Sequence, residues 1–286
     1  MLTVLLMAVL ALAVFFLGVM AIDCNRFVIR EYRCNAENLE RDETIVLLSD
    51  LHNKSFGENH RKLVEAVDRI CPDMILIAGD MYTAAKAQGA EAALSLVKAL
   101  AGKYPVYYGN GNHEQKTALY PEEYGNVYRD YVQEMKRLGV RHLVNEKVSI
   151  PDIRLAVYGL ELDREYYHKF KKKEMDKGYL GRILGRPDSL EYTILIAHNP
   201  DYFEDYAEWG ADLVVSGHVH GGLMRLPFLG GVVSPAMRLF PKYDGGLFQT
   251  GKSTLVLSRG LGTHTLPIRI FNPGELVVIQ LRAGKR

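Results

Sequence analysis

Leu213-Val214-Val215-Ser216-Gly217-His218-Val219-His220-Gly221-Gly222 passes in a few residues from an apolar run to a glycine-rich turn. Residues 213–215 read as a buried strand, and the two histidines fall where it ends. In extended backbone, residues two apart project to the same side, so His218 and His220 are expected to face one point with Val219 turned away. Imidazole nitrogen is a common ligand for borderline metals, and the flanking glycines let backbone come close to whatever lies there. Taken alone, the pair is equally readable as two exposed loop histidines. The rest of the chain decides between the two.

Upstream, short apolar runs at 44–49, 74–78, 106–108 and 192–197 read as buried strands. Leu63, Val64, Val67 and Ile70 recur at helical spacing before Pro72. Further helices are expected near 84–100, 121–138 and 202–209. This alternation indicates α/β architecture with at least partly parallel pairing. Other strands are expected near 142–144, 148–150, 155–158, 254–258, 268–271 and 276–281. Residues 23–43 read as a linker or edge strand.

Each strong strand runs into residues that bind metals. The first ends in Ser49-Asp50-Leu51-His52 and the second in Gly79-Asp80. The third passes into Gly109-Asn110-Gly111-Asn112-His113-Glu114, and the run at 192–197 into His198-Asn199-Pro200. Five of the nine histidines therefore stand at strand exits, the edge of an open α/β sheet where sites assemble. Singly, Asp50 or Asp80 reads as a helix N-cap, and Asn112 as a left-handed turn residue. His52, His113 and His198 each read as a half-buried, hydrogen-bonded histidine. Jointly these readings fail, because they give no reason for the same chemistry to recur at five strand ends. A carboxylate–imidazole cluster beside apolar strands is costly to desolvate without a cation.

The formal net charge of +1 argues against a nucleic-acid binder that relies on a broad cationic face. Cys24, Cys34 and Cys71 are an odd set without zinc-type spacing and read as free thiols. From Leu2 to Ile22 no side chain is charged; at about 1.5 Å per residue the stretch spans roughly 30 Å, the thickness of a bilayer's hydrocarbon core. A cleavable signal peptide is the rival reading, but it wants a cationic start and a small-residue exit that Ala21-Ile22-Asp23 does not supply. Residues 1–22 are therefore expected to be a transmembrane anchor on the cell membrane. Arg26, Arg30 and Arg33 beyond it place the following domain in the cytoplasm. Residues 164–186 form a basic, aromatic insertion (Lys169, Lys171, Lys172, Lys173 and Tyr166, Phe170, Tyr179 among them). It reads either as a solvated surface or as a flap for anionic lipid heads or a phosphorylated substrate. Residues 223–240 are apolar and broken by Pro and Gly, which suits a loop near the membrane or over an acyl pocket.

The ordered set Asp-x-His, Gly-Asp, Gly-Asn-His-Glu, lone His and Gly-His-x-His resembles the signature of the calcineurin-like metallophosphoesterase superfamily. The block 217–248, with Phe240-Pro241-Lys242-Tyr243-Asp244-Gly245-Gly246-Leu247, resembles its membrane-anchored bacterial YkuE-like branch. The resemblance implies an α/β (α+β) fold over 44–286, a four-layer αββα sandwich of two mixed β-sheets flanked by helices. It implies two divalent ions (Mn, Fe or Zn), one held by Asp50, His52 and His220 and the other by Asn112, His198 and His218. Asp80 bridges them, and His113 meets the phosphate or protonates the leaving oxygen. Many relatives continue Gly-Asp-x-x-Asp, whereas this chain has Thr83 at the last position, so a carboxylate that often supports the site is missing. The implied protein is a metal-dependent phosphoric ester or diphosphate hydrolase acting through metal-activated water, with Asp80 and His113 central to catalysis. Its expected partners are the membrane and a phosphorylated or pyrophosphate-containing substrate, with lipid-linked compounds favoured and UDP-diacylglucosamine as one type. No nucleic acid is expected. A phosphodiesterase or phosphomonoesterase on soluble substrates, and a non-catalytic membrane scaffold of the same fold, are the alternatives.

Overall fold

The computed structural model describes residues 1–168, 172–226, 229–233, 239–263 and 267–284. Of the expectations above, Lys169, Phe170 and Lys171 in the basic insertion, and residues 227–228 and 234–238 in the apolar loop, lie outside the described residues.

The chain begins with α1 (Leu2–Asn25), a helix long and apolar enough to cross a membrane. It leads into β1 (Phe27–Ala36) and β2 (Glu43–Leu48). Then follow α2 (Arg61–Ile70), β3 (Met74–Ala78), α3 (Glu91–Ala101), β4 (Val106–Gly109) and α4 (Asn112–Leu119). Next come α5 (Pro121–Tyr124), α6 (Val127–Arg137), β5 (Arg141–Leu143), β6 (Glu146–Ile150), β7 (Leu155–Leu160) and α7 (Tyr179–Leu184). The remainder is β8 (Tyr192–Ala197), α8 (Phe203–Trp209), β9 (Leu213–Ser216), β10 (Arg225–Leu226), β11 (Gly230–Gly231), β12 (Gly246–Thr250), β13 (Ser253–Leu257) and β14 (Gly274–Ala283).

Two six-stranded mixed sheets result, in the orders β1-β14-β2-β3-β4-β5 and β12-β13-β9-β8-β7-β6. The parallel runs β2-β3-β4-β5 and β7-β8-β9-β13 carry the site, and antiparallel neighbours close them off. Strand alternation sorts side chains between layers. In β2, Val46 and Leu48 face α2, α3 and α6, while Ile45 and Leu47 face the other sheet. In β8, Ile194 and Ile196 fill the same inter-sheet layer, and Leu195 and Ala197 pack under α7 and α8. The strands β3 and β7, buried on both faces, are thus unbroken apolar runs, and β2 and β8 depart from the pattern only near their first residues.

Two local expectations are corrected. The helix expected over 121–138 is broken into α5 and α6, because Gly125 takes φ +68° and resets the chain direction. No strand forms at 268–271; Ile270 makes a single bridge to Met224, since Pro267 and Pro273 remove ladder donors on either side. The edge strand β12, half-buried on alternate residues, lies outside the strands expected from the sequence.

Candidate metal centre

The parallel strands end at one edge, and the loops leaving them are bonded to one another. Asp50 N donates to Gly79 O (2.9 Å) and His52 N to Asp80 O (3.1 Å), so the exits of β2 and β3 lie side by side. Gly217 N donates to His198 O (3.1 Å), pairing the exits of β8 and β9. His198 Nδ1 donates across the layers to Ala78 O at 2.6 Å, tying one sheet to the other at this edge. Asp50, His52, Asp80, His198 and His220 are buried there, with Asn112, His113 and His218 half-buried.

The backbone differs from the extended form expected of Asp-x-His and His-x-His. Asp50, His52, Asp80, His218 and His220 have φ of 52°, 47°, 54°, 73° and 52°. Left-handed backbone costs a residue with a Cβ on the order of 1–3 kcal/mol, and such outliers concentrate at functional sites. Two glycines make the geometry feasible. Gly79 itself takes φ +79° with the Gly111 backbone against it, and a Cβ on Gly217 would overlap Ser49 Oγ and the Asp50 carboxylate.

Seven of the eight side chains singled out in the sequence meet in this basin, and Asn112 precedes His113, whose N donates to Asp80 Oδ1 at 2.9 Å. The ligand atoms of Asp50, His52 and His220 lie within 4.8 Å of one another, as do those of Asp80, His198 and His218, and those of His52, Asp80 and His113. His52 Nε2 and His220 Nε2 face each other at 3.1 Å, and His220 Nε2 is 3.2 Å from Asp50 Oδ1. His198 Nε2 is 3.1 Å from Asp80 Oδ2. Because His198 Nδ1 is spent on Ala78 O, a neutral His198 presents a lone pair at Nε2 to that carboxylate. Lone pairs of nitrogen and oxygen at such distances require a cation between them, either a proton or a metal. Asn112 Oδ1 is buried without a hydrogen-bond partner among the described residues, an acceptor that a cation would satisfy. The residues present therefore fit divalent cations with mixed nitrogen and oxygen ligands.

His113 differs in kind. Its Nδ1 accepts from Ala84 N at 2.8 Å, so the neutral ring carries its proton on Nε2, 3.9 Å from Asp80 Oδ2. That nitrogen is a donor rather than a lone pair.

Electrostatics point the same way. Burial opposes a charged His198, but Asp80 outweighs it and pushes the imidazole up to about 10. Burial and then the charge on His198 push His218 down to about 3. Burial, followed by His220, holds His52 well below its ordinary value. Burial disfavours the Asp50 carboxylate, yet His220 overrides it and keeps the group below its usual range. The site thus pairs ionised carboxylates with neutral His52 and His218 and with a charged His198, whose Nε2 proton a bound metal would replace.

Several residues around the site were not identified from the sequence. Glu114, fully buried, accepts from Asp80 N (2.8 Å), Met81 N (2.8 Å), Gly111 N (3.0 Å) and Tyr108 OH (2.7 Å). Burial and then Asp80 push it up to about 7. Its place in Gly-Asn-His-Glu was the available signal. Thr83, noted as a lost carboxylate, still serves His52: its Oγ1 is 3.2 Å from Nδ1. Asn272 Nδ2 donates to His220 O (2.7 Å) and Gly222 O (2.8 Å), and nothing in its sequence neighbourhood announces that role. The basic insertion divides. Lys172 bonds Asp201 O at 2.6 Å and lies over Tyr202, and Lys173 pairs with Glu165, so these two belong to the surface. Arg164 reaches the Asn112 carbonyl at 3.5 Å, and the Tyr167 ring lies 5.4 Å from that of His218.

Comparison with known proteins bears on the same residues. The sequence model for the calcineurin-like phosphoesterases matches residues 43–222. An uncharacterised metallophosphoesterase of Campylobacter jejuni is 30% identical over 87% of this chain, which spans 61% of that protein's length. The uncharacterised metallophosphoesterase YkuE of Bacillus subtilis is 27% identical, over 84% of this chain and 79% of its own. LpxG of Chlamydia muridarum, a UDP-2,3-diacylglucosamine pyrophosphatase, is 24% identical, over 82% of each chain.

Proposed function

The chain belongs to the calcineurin-like phosphoesterase family, and on that premise we infer that it is a membrane-anchored, two-metal hydrolase of a phosphoester or pyrophosphate bond. The observation that carries the reading is the convergence of five strand exits on one buried basin whose carboxylate and imidazole lone pairs require a cation. Asp50, His52 and His220 are assigned to one ion, Asn112, His198 and His218 to the other, and Asp80 to both; the groupings of ligand atoms support this division for the histidines and aspartates, and the unpartnered Oδ1 supports it for Asn112. Two bound divalent cations would neutralise phosphoryl oxygens and supply an activated water for in-line attack. Thr83 and Ala78 O hold the imidazoles of His52 and His198 with Nε2 inward. His113 donates a hydrogen bond from Nε2–H to the departing oxygen and keeps its proton, stabilising the charge that develops there, and Arg164 and Tyr167 flank the phosphate.

The substrate is inferred to be lipid-linked or held at the membrane surface. The apolar helix α1 supports this, and the name of LpxG supports a diphosphate bond on a glycolipid as one form. A soluble phosphodiester or phosphomonoester is the other outcome of a substrate panel. Residues 1–22 act as the anchor, 23–43 supply the edge strand β1 of the first sheet, and 44–286 form the rest of the catalytic domain. Arg26, Arg30 and Arg33 favour the cytoplasmic side. An impermeant maleimide should then leave the exposed Cys71 unlabelled in intact cells, and labelling there would reverse the orientation.

The activity is tested with bis(p-nitrophenyl) phosphate and Mn²⁺ on detergent-solubilised protein. Asp80→Ala should lower turnover by about 10³-fold or more and lose bound metal, because it removes the carboxylate shared by both ions. Equal activity of the wild type and the variant would reduce the fold to a scaffold.

A further inference from the structure

The strands β1 and β14 run antiparallel to β2, so they start at the edge where β2, β3, β4, β8 and β9 end. The helix α1 therefore enters the domain beside the metal centre rather than at the far edge. It also docks there. Phe16, Val19 and Met20 are half-buried and Asp23 is buried, and positions three, four and seven after Phe16 share one helical face. Against that face lies 267–272. The ring of Phe271 packs on Phe15 and Phe16 at 6.4 and 6.2 Å between centroids. Cys24 Sγ donates to Pro267 O at 3.4 Å, and Asn272 N donates to Asp23 Oδ2 at 3.0 Å.

The helix length sets the depth of this contact. Its 24 residues span about 36 Å against a hydrocarbon core of roughly 30 Å. Even with the surplus of about 6 Å standing outside at the Asn25 end, Phe16 lies about 7 Å within the apolar region. Phe271, in contact with it, goes to similar depth. It remains 42% exposed and holds φ +53°, a conformation that a large residue adopts only where its surroundings impose it.

The neighbouring segment hangs on the same edge. Arg225 N donates to Ile270 O (3.0 Å) and Ile270 N to Leu223 O (3.2 Å), which brings the β10–β11 hairpin alongside Phe271. Leu229, Leu239 and Phe240 there are 63%, 69% and 58% exposed. The one charge in β10, Arg225, is turned onto Asp244 at 3.0 Å. An exposed apolar surface of this kind marks an interaction site, and its continuity with α1 identifies the occupant.

We propose that the edge formed by Ile270, Phe271, the β10–β11 hairpin and residues 239–240 is immersed in the lipid leaflet that α1 enters. The metal centre then sits at headgroup level and takes a phosphoester whose acyl tail stays in the bilayer. Asn272 joins the two, with Phe271 beside it in sequence and its own side chain on His220 O. The proposal rests on α1 crossing the membrane, and its substrate consequence rests on the hydrolase reading.

The test reads depth without any turnover. The full chain is reconstituted into phosphatidylcholine–phosphatidylglycerol vesicles with or without bromine on mid-chain acyl carbons. Phe271→Trp, Leu229→Trp and Leu239→Trp are compared with Leu190→Trp, which precedes β8 at the opposite edge, and with the wild type, whose one tryptophan is Trp209. Bromines in the hydrocarbon core should lower emission about twofold at 271, 229 and 239 and leave 190 at the wild-type level. Quenching at 229 and 239 no greater than at 190 overturns the proposal, and those two exposed positions suffice if Phe271→Trp fails to fold. Quenching in a protein inactive on every phosphoester keeps the immersed edge and discards the hydrolase. Hydrolysis of soluble bis(p-nitrophenyl) phosphate without quenching does the reverse.

Discussion

Asn272→Ala probes how a residue that touches no candidate ligand atom supports the centre. The side chain is fully buried, and its Nδ2 group satisfies two carbonyls, those of His220 at 2.7 Å and Gly222 at 2.8 Å. Truncation deletes two hydrogen bonds worth about 1 kcal/mol each and leaves two buried acceptors to find other partners. The expected destabilisation is about 2–4 kcal/mol. Because His220 follows its own carbonyl, loss of this tether should also weaken metal binding by about 10–100-fold, the usual cost of removing a group that orients a ligand. Asn272→Asp should be worse, since it turns an acceptor toward two carbonyl oxygens. Urea unfolding of detergent-solubilised protein gives the first quantity, and calorimetric titration with Mn²⁺ the second. Destabilisation below about 1 kcal/mol together with wild-type Mn²⁺ affinity would refute the tether.

His113→Ala should lower kcat by about 10²–10³-fold with metal content by mass spectrometry unchanged, since its Nε2 is assigned as a hydrogen-bond donor; loss of metal would make it a ligand instead. Burial, and then Lys136, push His142 down to about 4, while an unfolded histidine titrates near 6.5. The unfolded chain thus takes up a proton first. His142 should contribute stability that is fully present above about pH 6.5 and falls by up to about 3 kcal/mol toward pH 4, beside the losses that His52 and His218 add in metal-stripped protein. His142→Gln should reduce that slope in urea midpoints measured across the range, and an unchanged slope would remove His142 as a source.

The layers of the sandwich were legible because strand alternation is local: Val46 and Leu48 against Ile45 and Leu47 announce two buried faces without knowledge of what covers them. The strand exits were equally legible, since ligand types following apolar runs need no tertiary information. Two expectations reached the right residues by the wrong geometry. Asp50, His52, His218 and His220 converge through left-handed turns, not through extended alternation, and only packing against Gly79 and Gly217 makes those turns tolerable. Thr83 looked like a loss in the sequence, yet a hydroxyl still meets His52 Nδ1.

The chain by itself determined which residue types stand at each strand end and that a long apolar helix precedes them, because both are properties of near neighbours. Tertiary structure alone decided that His52 and His220, 168 positions apart, face each other at 3.1 Å. It alone set α1 against Phe271, beside that pair. The reason is the order of strands across two packed sheets: it fixes which exits become adjacent, and no periodicity along the sequence encodes it.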